Sequence, residues 1–499
     1  MKYIYISKKH MFIQVLIFLL LKGYNSFLPR HQLILFKHYI SSSSNRRKIF
    51  DRRIECTSCQ CKIIVNREPT KKPDITKLRG FYGMVGPNIN ITNIDGLTLY
   101  DLFTGDGIIH GVFFDNGNIT FVKHIMRTEK RIYEEIHGKF PQHILFLPLF
   151  VFMNTLGMIP NILGLANTAF LKINKQMYVL FERDSPYSIH IDFINQKINT
   201  IQKIRIPVIQ RFSGHSKYNR VSTQIHTIDY NIIRSSLVYY CLNNSNSNPF
   251  EIVKRIAIKT NYIPIIHDFE MINNENTLLF FDCPLEFDFP QIINRKMPLF
   301  LSSTKPTFLH TVNTTDNTRR TYTFSESFYL FHYGNVFENP ENIVIYAPLY
   351  DTLDFNVVQI RGKYRKIIVD KYSGNISIVR NPDLEKYNLD FPIFYKEYTI
   401  LKNIDYSENR SNGFVICHEL NIIHTLFFKD KSICGEPSII STNNRHFLSF
   451  FLYDTNRMGY LRLIELPDRI DNITHLDFIE IPLNTTIGIG FHSIYTDQY

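Results

Sequence analysis

The sequence predicts an all-β protein whose strands close into one array, most economically a β-propeller. Three observations lead there. From about Lys71 onward, short apolar or alternating runs recur, as in "NTLLFFDCPLEFDF", "NIVIYAPLYDTLDFNVVQI" and "HFLSFFLYDTNRMGYLRLIEL". Gly, Asn, Asp and Pro break these runs at turn spacings of about ten residues, the rhythm of sandwiches, barrels and propellers. No long amphipathic helix competes, and no linker-like break interrupts the strand-rich part. Radial repetition protects strand edges, so a single propeller explains more than several small domains do.

The N-terminus reads differently. "MKYIYISKKHMFIQVLIFLLLKGYNSF" has a basic lead, then an apolar run from Met11 to Leu21, then small and polar residues. That run is too short to span a bilayer and suits a signal-peptide core. The following "SFLPRHQLILFKHYISSSSNRRKIFDRR" is rich in Arg, Lys and Ser and nearly free of acids, the composition of an organelle transit segment. Together they predict a targeting segment and basic arm over residues 1–60, before a single domain over 61–499. The destination this implies is a plastid reached through the secretory pathway, with the endoplasmic reticulum or secretion as the alternative.

Within the strand-rich part, Asn116-Gly117 in "GIIHGVFFDNGNITFVKHI" is the clearest hairpin signal. One stretch departs from the pattern: "HILFLPLFVFMNTLGMIPNILGLA", His143 to Ala166. Pro148, Asn154, Gly157 and Pro160 interrupt it, so it reads as an apolar loop or helix pair dipping into one leaflet, with Phe150, Phe152 and Leu156 as membrane contacts. The alternative is a buried dome over the core. The protein would then be monotopic, lying on a membrane surface without crossing it.

The net charge of +11 favours anionic surfaces. Apart from Arg46, Arg47, Lys48, Arg52 and Arg53 the basic residues are scattered, which argues against a nucleic-acid partner. Of seven cysteines, Cys56, Cys59 and Cys61 cluster in "CTSCQC", but no fourth zinc ligand stands close by. Lipidation, a disulfide or free thiols remain open for them. Cys241, Cys283, Cys417 and Cys434 sit singly in apolar surroundings and read as buried thiols.

Among 18 histidines, four share a context: His215 in "RFSGHSKYN", His267 in "IPIIHDFEM", His332 in "FYLFHYGNV" and His492 in "GIGFHSIYT". Each follows an apolar or Gly-rich approach, where a strand would enter or leave the core. Their spacings of 52, 65 and 160 residues are rough multiples of one strand group. In a propeller, equivalent positions converge on the axis, where four imidazoles can meet one metal. No Ser–His pair or carboxylate dyad competes as a catalytic device.

The segment from Leu78 to Lys130 resembles the opening of the carotenoid cleavage oxygenases. That family carries Gly-x-Tyr and Asn-Gly-Pro-Asn, then Phe-Asp-Gly-Asp-Gly-Met-Ile-His, and a later Arg-Thr-Glu. Gly80, Tyr82, Gly86, Pro87, Asn88, Gly105, Asp106, Gly107, Ile109, His110, Arg127, Thr128 and Glu129 match it. "LANTAF" and "MYVLFERDSPYSI" resemble the family's next strand and the glutamate after it. The resemblance implies a seven-bladed β-propeller with a dome of helices and loops over its top face. It implies Fe(2+) held by His215, His267, His332 and His492, three of them oriented by Glu182, Asp390 and Glu436. It further implies a dioxygenase that uses O2 to cleave a C=C bond of a carotenoid, apocarotenoid or related polyene into two carbonyl products. Retinoid-type isomerohydrolysis, stilbene cleavage and a non-catalytic lipid-binding propeller are the alternatives. Asp390 stands where the family has glutamate, so its hydrogen bond is expected to run through water or to require a backbone shift. Met84-Val85, Leu102 and Thr104 also depart from the pattern, at positions that read as structural.

Overall fold

The computed structural model describes residues 59–63, 74–89, 98–137 and 164–497, apart from a few short loops within the last range. Residues 1–58, which hold most of the expected targeting segment, and the apolar stretch with Phe150, Phe152 and Leu156 lie outside the described residues.

Seven antiparallel sheets of four or five strands follow one another around a ring. The second is typical: Ala169–Ile173, Gln176–Leu180, Tyr187–Asp192 and Lys197–Lys203 run in simple meander order. The first is composite. Its order is Cys59–Ile63, Asn118–Ile125, Gly107–Asp115, Arg79–Pro87 and finally Ser493–Thr496, so both ends of the strand array meet in one blade. Cys59 and Gln60, which lie before the 60/61 boundary that composition suggests, already pair with Lys123 and Val122 of this blade. The Asn116-Gly117 turn joins Asp115 to its partner Asn118, with φ of 50° and 85° at its two central residues. That is the left-handed pair a two-residue hairpin requires.

Why these strands read as continuous apolar runs is visible in the packing. Successive side chains point to opposite faces. Leu278 and Phe280 enter the apolar seam towards the third blade, while Leu279 and Phe281 enter the seam towards the fifth. Phe81 faces the second blade and Tyr82 the seventh. Among the described residues there is one apolar cluster between every pair of neighbouring blades, and the seven together close the circle. A large apolar side chain fully buried in such a seam contributes about 1.5–3 kcal/mol.

Two α-helices occur among the described residues, Leu99–Thr104 and Glu129–His137. Thr98 and Asp101 form a reciprocal capping box that starts the first. Leu99 and Leu102 pack into the fourth-to-fifth seam beside Leu285 and Leu299 of a two-stranded ribbon, Leu285–Phe287 with Leu299–Leu301. Phe103 lies 6.4 Å from Phe331 and 6.2 Å from Phe491, neighbours of two of the four histidines. This helix and ribbon therefore cover the face on which those histidines sit. No helix among the described residues is long and apolar enough to cross a membrane.

Candidate metal centre

Each of the four histidines stands just beyond the end of an edge strand. His215 lies two residues before Lys217–Tyr218, and His267 three before Glu270–Ile272. His332 lies two residues after Tyr329–Leu330, and His492 immediately before Ser493–Thr496. In a closed ring these strand ends face the axis, and the imidazoles converge there. Their ligand nitrogens all lie within 4.8 Å of one another.

His492 reaches this point because its segment is fastened on several sides. Val85 N–H donates to His492 O at 2.9 Å, Phe491 N–H to Val85 O at 2.7 Å, and Glu436 N–H to Phe491 O at 2.8 Å. Close approach requires glycine at two places. A Cβ on Gly86 would lie 2.3 Å from Ile489 O, and one on Gly490 would lie 2.1 Å from Met84 Sδ. Met84 and Leu102, two departures from the family pattern, are buried packing residues at 0% and 5% exposure.

Three imidazoles are oriented by carboxylates. His267 Nδ1 donates to Glu182 Oε1. His332 Nδ1 donates to Asp390 Oδ1 at 2.7 Å, and His492 Nδ1 faces Glu436 Oε2 at 3.3 Å. Among the described residues His215 has no such partner; its backbone N–H donates to Ser213 Oγ at 3.1 Å. The aspartate expected to need a water or a shift makes a direct bond. Its strand carries a bulge between Asp390 and Ile393, and Phe391 adopts a left-handed φ of 52°. The backbone thus departs from regular strand geometry where the side chain is a methylene short.

These bonds decide what the other ring nitrogens can do. An imidazole that donates through Nδ1 presents a lone pair at Nε2. His332 Nε2 and His492 Nε2 face each other at 3.2 Å, and His215 Nε2 and His267 Nε2 at 3.0 Å. Between His332 and His492, both bound through Nδ1, this sets two lone pairs face to face, which only a proton or a cation satisfies, while His215 has no Nδ1 partner among the described residues to fix its tautomer. Two adjacent donors, each ~2.1 Å from a first-row metal, are themselves separated by ~3 Å. The donor set therefore fits a single ion, and imidazole suits iron, zinc, copper and nickel.

Electrostatics favour the neutral imidazole at two of the four positions. Burial, then the neighbouring imidazoles, hold His215 well below the usual histidine range. Burial also lowers His492, against opposition from Glu436. For His332 burial works downward, but Asp390 outweighs it and pushes the imidazole up. Burial would raise Asp390, but His332 and hydrogen bonds from Tyr350 and the Phe391 N–H hold it below the usual carboxylate range.

Several supporting residues carry no signal in the sequence. Tyr350 OH donates to Asp390 Oδ2, and Tyr230 OH to Glu182 Oε2 at 3.3 Å. Phe391 lies 4.9 Å from His332 and 5.4 Å from His492, with Lys402 Nζ 5.2 Å from its ring. His110 belongs to the quoted motif, which gives no hint of its partner. Its Nε2 accepts from Gly488 N–H at 3.1 Å, four residues before His492.

Fold and site together define a propeller with a candidate four-imidazole metal centre. A family model described as Retinal pigment epithelial membrane protein matches residues 76–402, well over half of the chain. The chain belongs to that family, the carotenoid cleavage oxygenases. A carotenoid 9,10(9',10')-cleavage dioxygenase 1 of Pisum sativum is 25% identical over 351 residues, covering 64% of this chain and 62% of that protein. The match thus spans less than two thirds of the relative's length. A 9-cis-epoxycarotenoid dioxygenase of Oryza sativa subsp. japonica, described as chloroplastic, is 28% identical over 109 residues, 21% of this chain and 18% of that protein. Among solved structures, a mutant of the Synechocystis apocarotenoid oxygenase superposes with a TM-score of 0.69 at 15% identity. That superposition covers 91% of this chain and 99% of the other, and establishes the shared seven-bladed fold.

Proposed function

We propose that the chain is an Fe(II)-dependent dioxygenase that cleaves a C=C bond of a carotenoid, apocarotenoid or related polyene into two carbonyl products. One observation carries this reading: four imidazoles whose Nε2 atoms face a single point, three of them backed by carboxylates. Four neutral ligands leave a divalent ion its full charge and vacant positions, and Fe(II) held there supplies chemistry with dioxygen that side chains cannot perform. The chain's own part is to hold and to enclose. Glu182, Asp390 and Glu436 fix the imidazole tautomers of His267, His332 and His492. Phe103, Phe331, Phe391 and Phe491 present aromatic surface beside the centre, which suits a polyene and excludes water. The activities named for the plant relatives belong to the same substrate class.

The remaining parts of the reading concern where this happens. The residues before the strand Cys59–Ile63 are a removable leader for a plastid reached through the secretory route, and the chain from that strand onward is one catalytic domain. The enzyme collects its insoluble substrate from a membrane surface through Phe150, Phe152 and Leu156.

The test is incubation of Fe(II)-loaded protein with a panel of carotenoids, apocarotenoids, retinyl esters and stilbenes under isotopically labelled dioxygen. Each substrate is offered in liposomes and in detergent. We expect near-stoichiometric iron and two carbonyl products carrying label. The Phe150→Ser, Phe152→Ser, Leu156→Ser variant should lose turnover in liposomes and keep it in detergent; equal turnover in both would return the segment to a buried dome. Failure of the wild type to retain iron and to cleave any panel member overturns the enzymatic reading. An isomerised, unlabelled product would establish isomerohydrolysis instead.

A further inference from the structure

The segments bearing His215, His267 and His332 come from three different connections of the ring, and behind them lies one buried carboxylate. Asp268 is 5% exposed and adjoins His267. Its Oδ1 accepts from Lys217 Nζ at 2.9 Å and from the Phe269 N–H at 2.8 Å. Its Oδ2 accepts from the Tyr333 N–H at 3.4 Å. Lys217 stands two residues after His215, and Tyr333 directly follows His332. A single side chain thus touches all three histidine segments. Glu270 Oε1 takes a second hydrogen bond from Lys217 Nζ at 2.8 Å, and the ammonium lies 5.8 Å from the Phe269 ring. The lysine is therefore held between two acceptors on the His267 side.

We propose that Lys217 is a positioning residue for the metal centre. Through Asp268 it binds the His215 segment to the segments of His267 and His332. The inference rests on the metal-centre reading above and extends it to a residue that touches neither the metal position nor any imidazole. It accounts for the odd histidine of the four. Three rings are aimed by carboxylates on Nδ1; the fourth, His215, is aimed through its backbone, and Lys217 is the nearest charged anchor along that backbone. An ammonium between two carboxylates in a part-buried site gives a strong, charge-assisted tie. A neutral side chain of similar length fills the space but releases the loop.

The test uses the full chain, metal-free and then titrated anaerobically with Co(II), whose visible bands report ligand number and geometry. Compared are wild type, Lys217→Met, Lys217→Arg and Asp268→Asn, together with the thermal unfolding of each metal-free protein. For Lys217→Met we expect about tenfold weaker Co(II) binding, the lower range for lost support behind a ligand, and altered visible bands. Its metal-free unfolding temperature should also fall, because Asp268 is left buried without its cation, and the metal-induced rise should shrink as well. Asp268→Asn should behave alike, and Lys217→Arg should restore affinity to within about threefold, since a guanidinium keeps the tie. Wild-type affinity and bands in Lys217→Met and Asp268→Asn would overturn the proposal. So would a fall in metal-free unfolding temperature with the metal-induced rise unchanged, because that pattern marks a merely structural lysine. If wild type itself binds no Co(II), the metal-centre reading fails, and this inference with it.

Discussion

His332 and His215 face the same point and are held there in opposite ways. His332 is gripped at its ring: Asp390 accepts from Nδ1 at 2.7 Å, and that carboxylate is itself held by Tyr350 and the Phe391 N–H. His215 has its backbone N–H bound to Ser213 Oγ and no carboxylate on its ring among the described residues. The first arrangement fixes tautomer, rotation and charge together. The second fixes position and leaves the ring free to adjust. A centre built from three clamped imidazoles and one adjustable one can settle an ion without every ligand being placed to a tenth of an ångström.

The largest effects should come from loosening a clamped ring. Asp390→Asn removes the charge from a buried partner and leaves one acceptor oxygen for donors on both sides, so an amide N–H comes to face either the imidazole N–H or the Tyr350 hydroxyl. Metal affinity should fall about 100-fold, and Glu436→Gln, at a longer contact, about 10-fold. Chelator competition measures both. Equal, small losses would mean that the clamps do not distinguish the clamped rings from His215.

The next effect lies behind His492. His110 is fully buried, and burial first, then the charge of Lys123, hold its imidazole down to about 3. An unfolded chain protonates histidine near pH ~6.5. The folded state thus favours neutral His110, which accepts from the Gly488 N–H. The stability this gives is complete above pH ~6.5 and is lost as pH falls towards 3. Replacing His110 with Gln should therefore make the protein less sensitive to acid. The decline in unfolding free energy between pH 6.5 and 5 should shrink by about 2 kcal/mol. Denaturant unfolding at the two pH values decides this; an unchanged decline would show that other groups drive the acid response.

The smallest effect sharpens the comparison. Asp390→Glu restores the residue usual in the family, yet this backbone is bulged and Phe391 sits at φ 52°. An added methylene in a fully packed site should cost about 1 kcal/mol or more, with metal affinity nearly retained. A variant more stable than wild type in thermal unfolding would show that the shorter acid is a compromise and not a fitted part.

How far the sequence reveals this molecule depends on the range of the interactions. The blades are legible because two-sided burial writes itself locally: Leu278, Leu279, Phe280 and Phe281 all must be apolar when alternate side chains enter different seams. The four histidines are legible because each sits at the end of such a run. Asp390 is legible as a carboxylate, but its direct reach is not, since nothing in "LDFPIF" announces a bulge. Tyr350 lies 40 residues from Asp390, Asp268 51 from Lys217, and Gly488 378 from His110. No periodicity connects such pairs; only closure of the ring brings them together.

That closure has a consequence for how the molecule comes apart. Ser493–Thr496 pairs with Met84 to Phe81, and Tyr495 OH reaches the Arg79 carbonyl 416 residues away. This seam is joined by a short strand, whereas the second, third, sixth and seventh blades are continuous meanders. His492 stands on one side of it, with His215, His267 and His332 carried by other blades. An ion bound by all four would act as a clasp, favouring the shut ring by mass action. Removing the ion should therefore speed amide exchange first along Arg79–Pro87 and Ser493–Thr496. The ring's weakest joint and its chemical centre are then one and the same mechanical element.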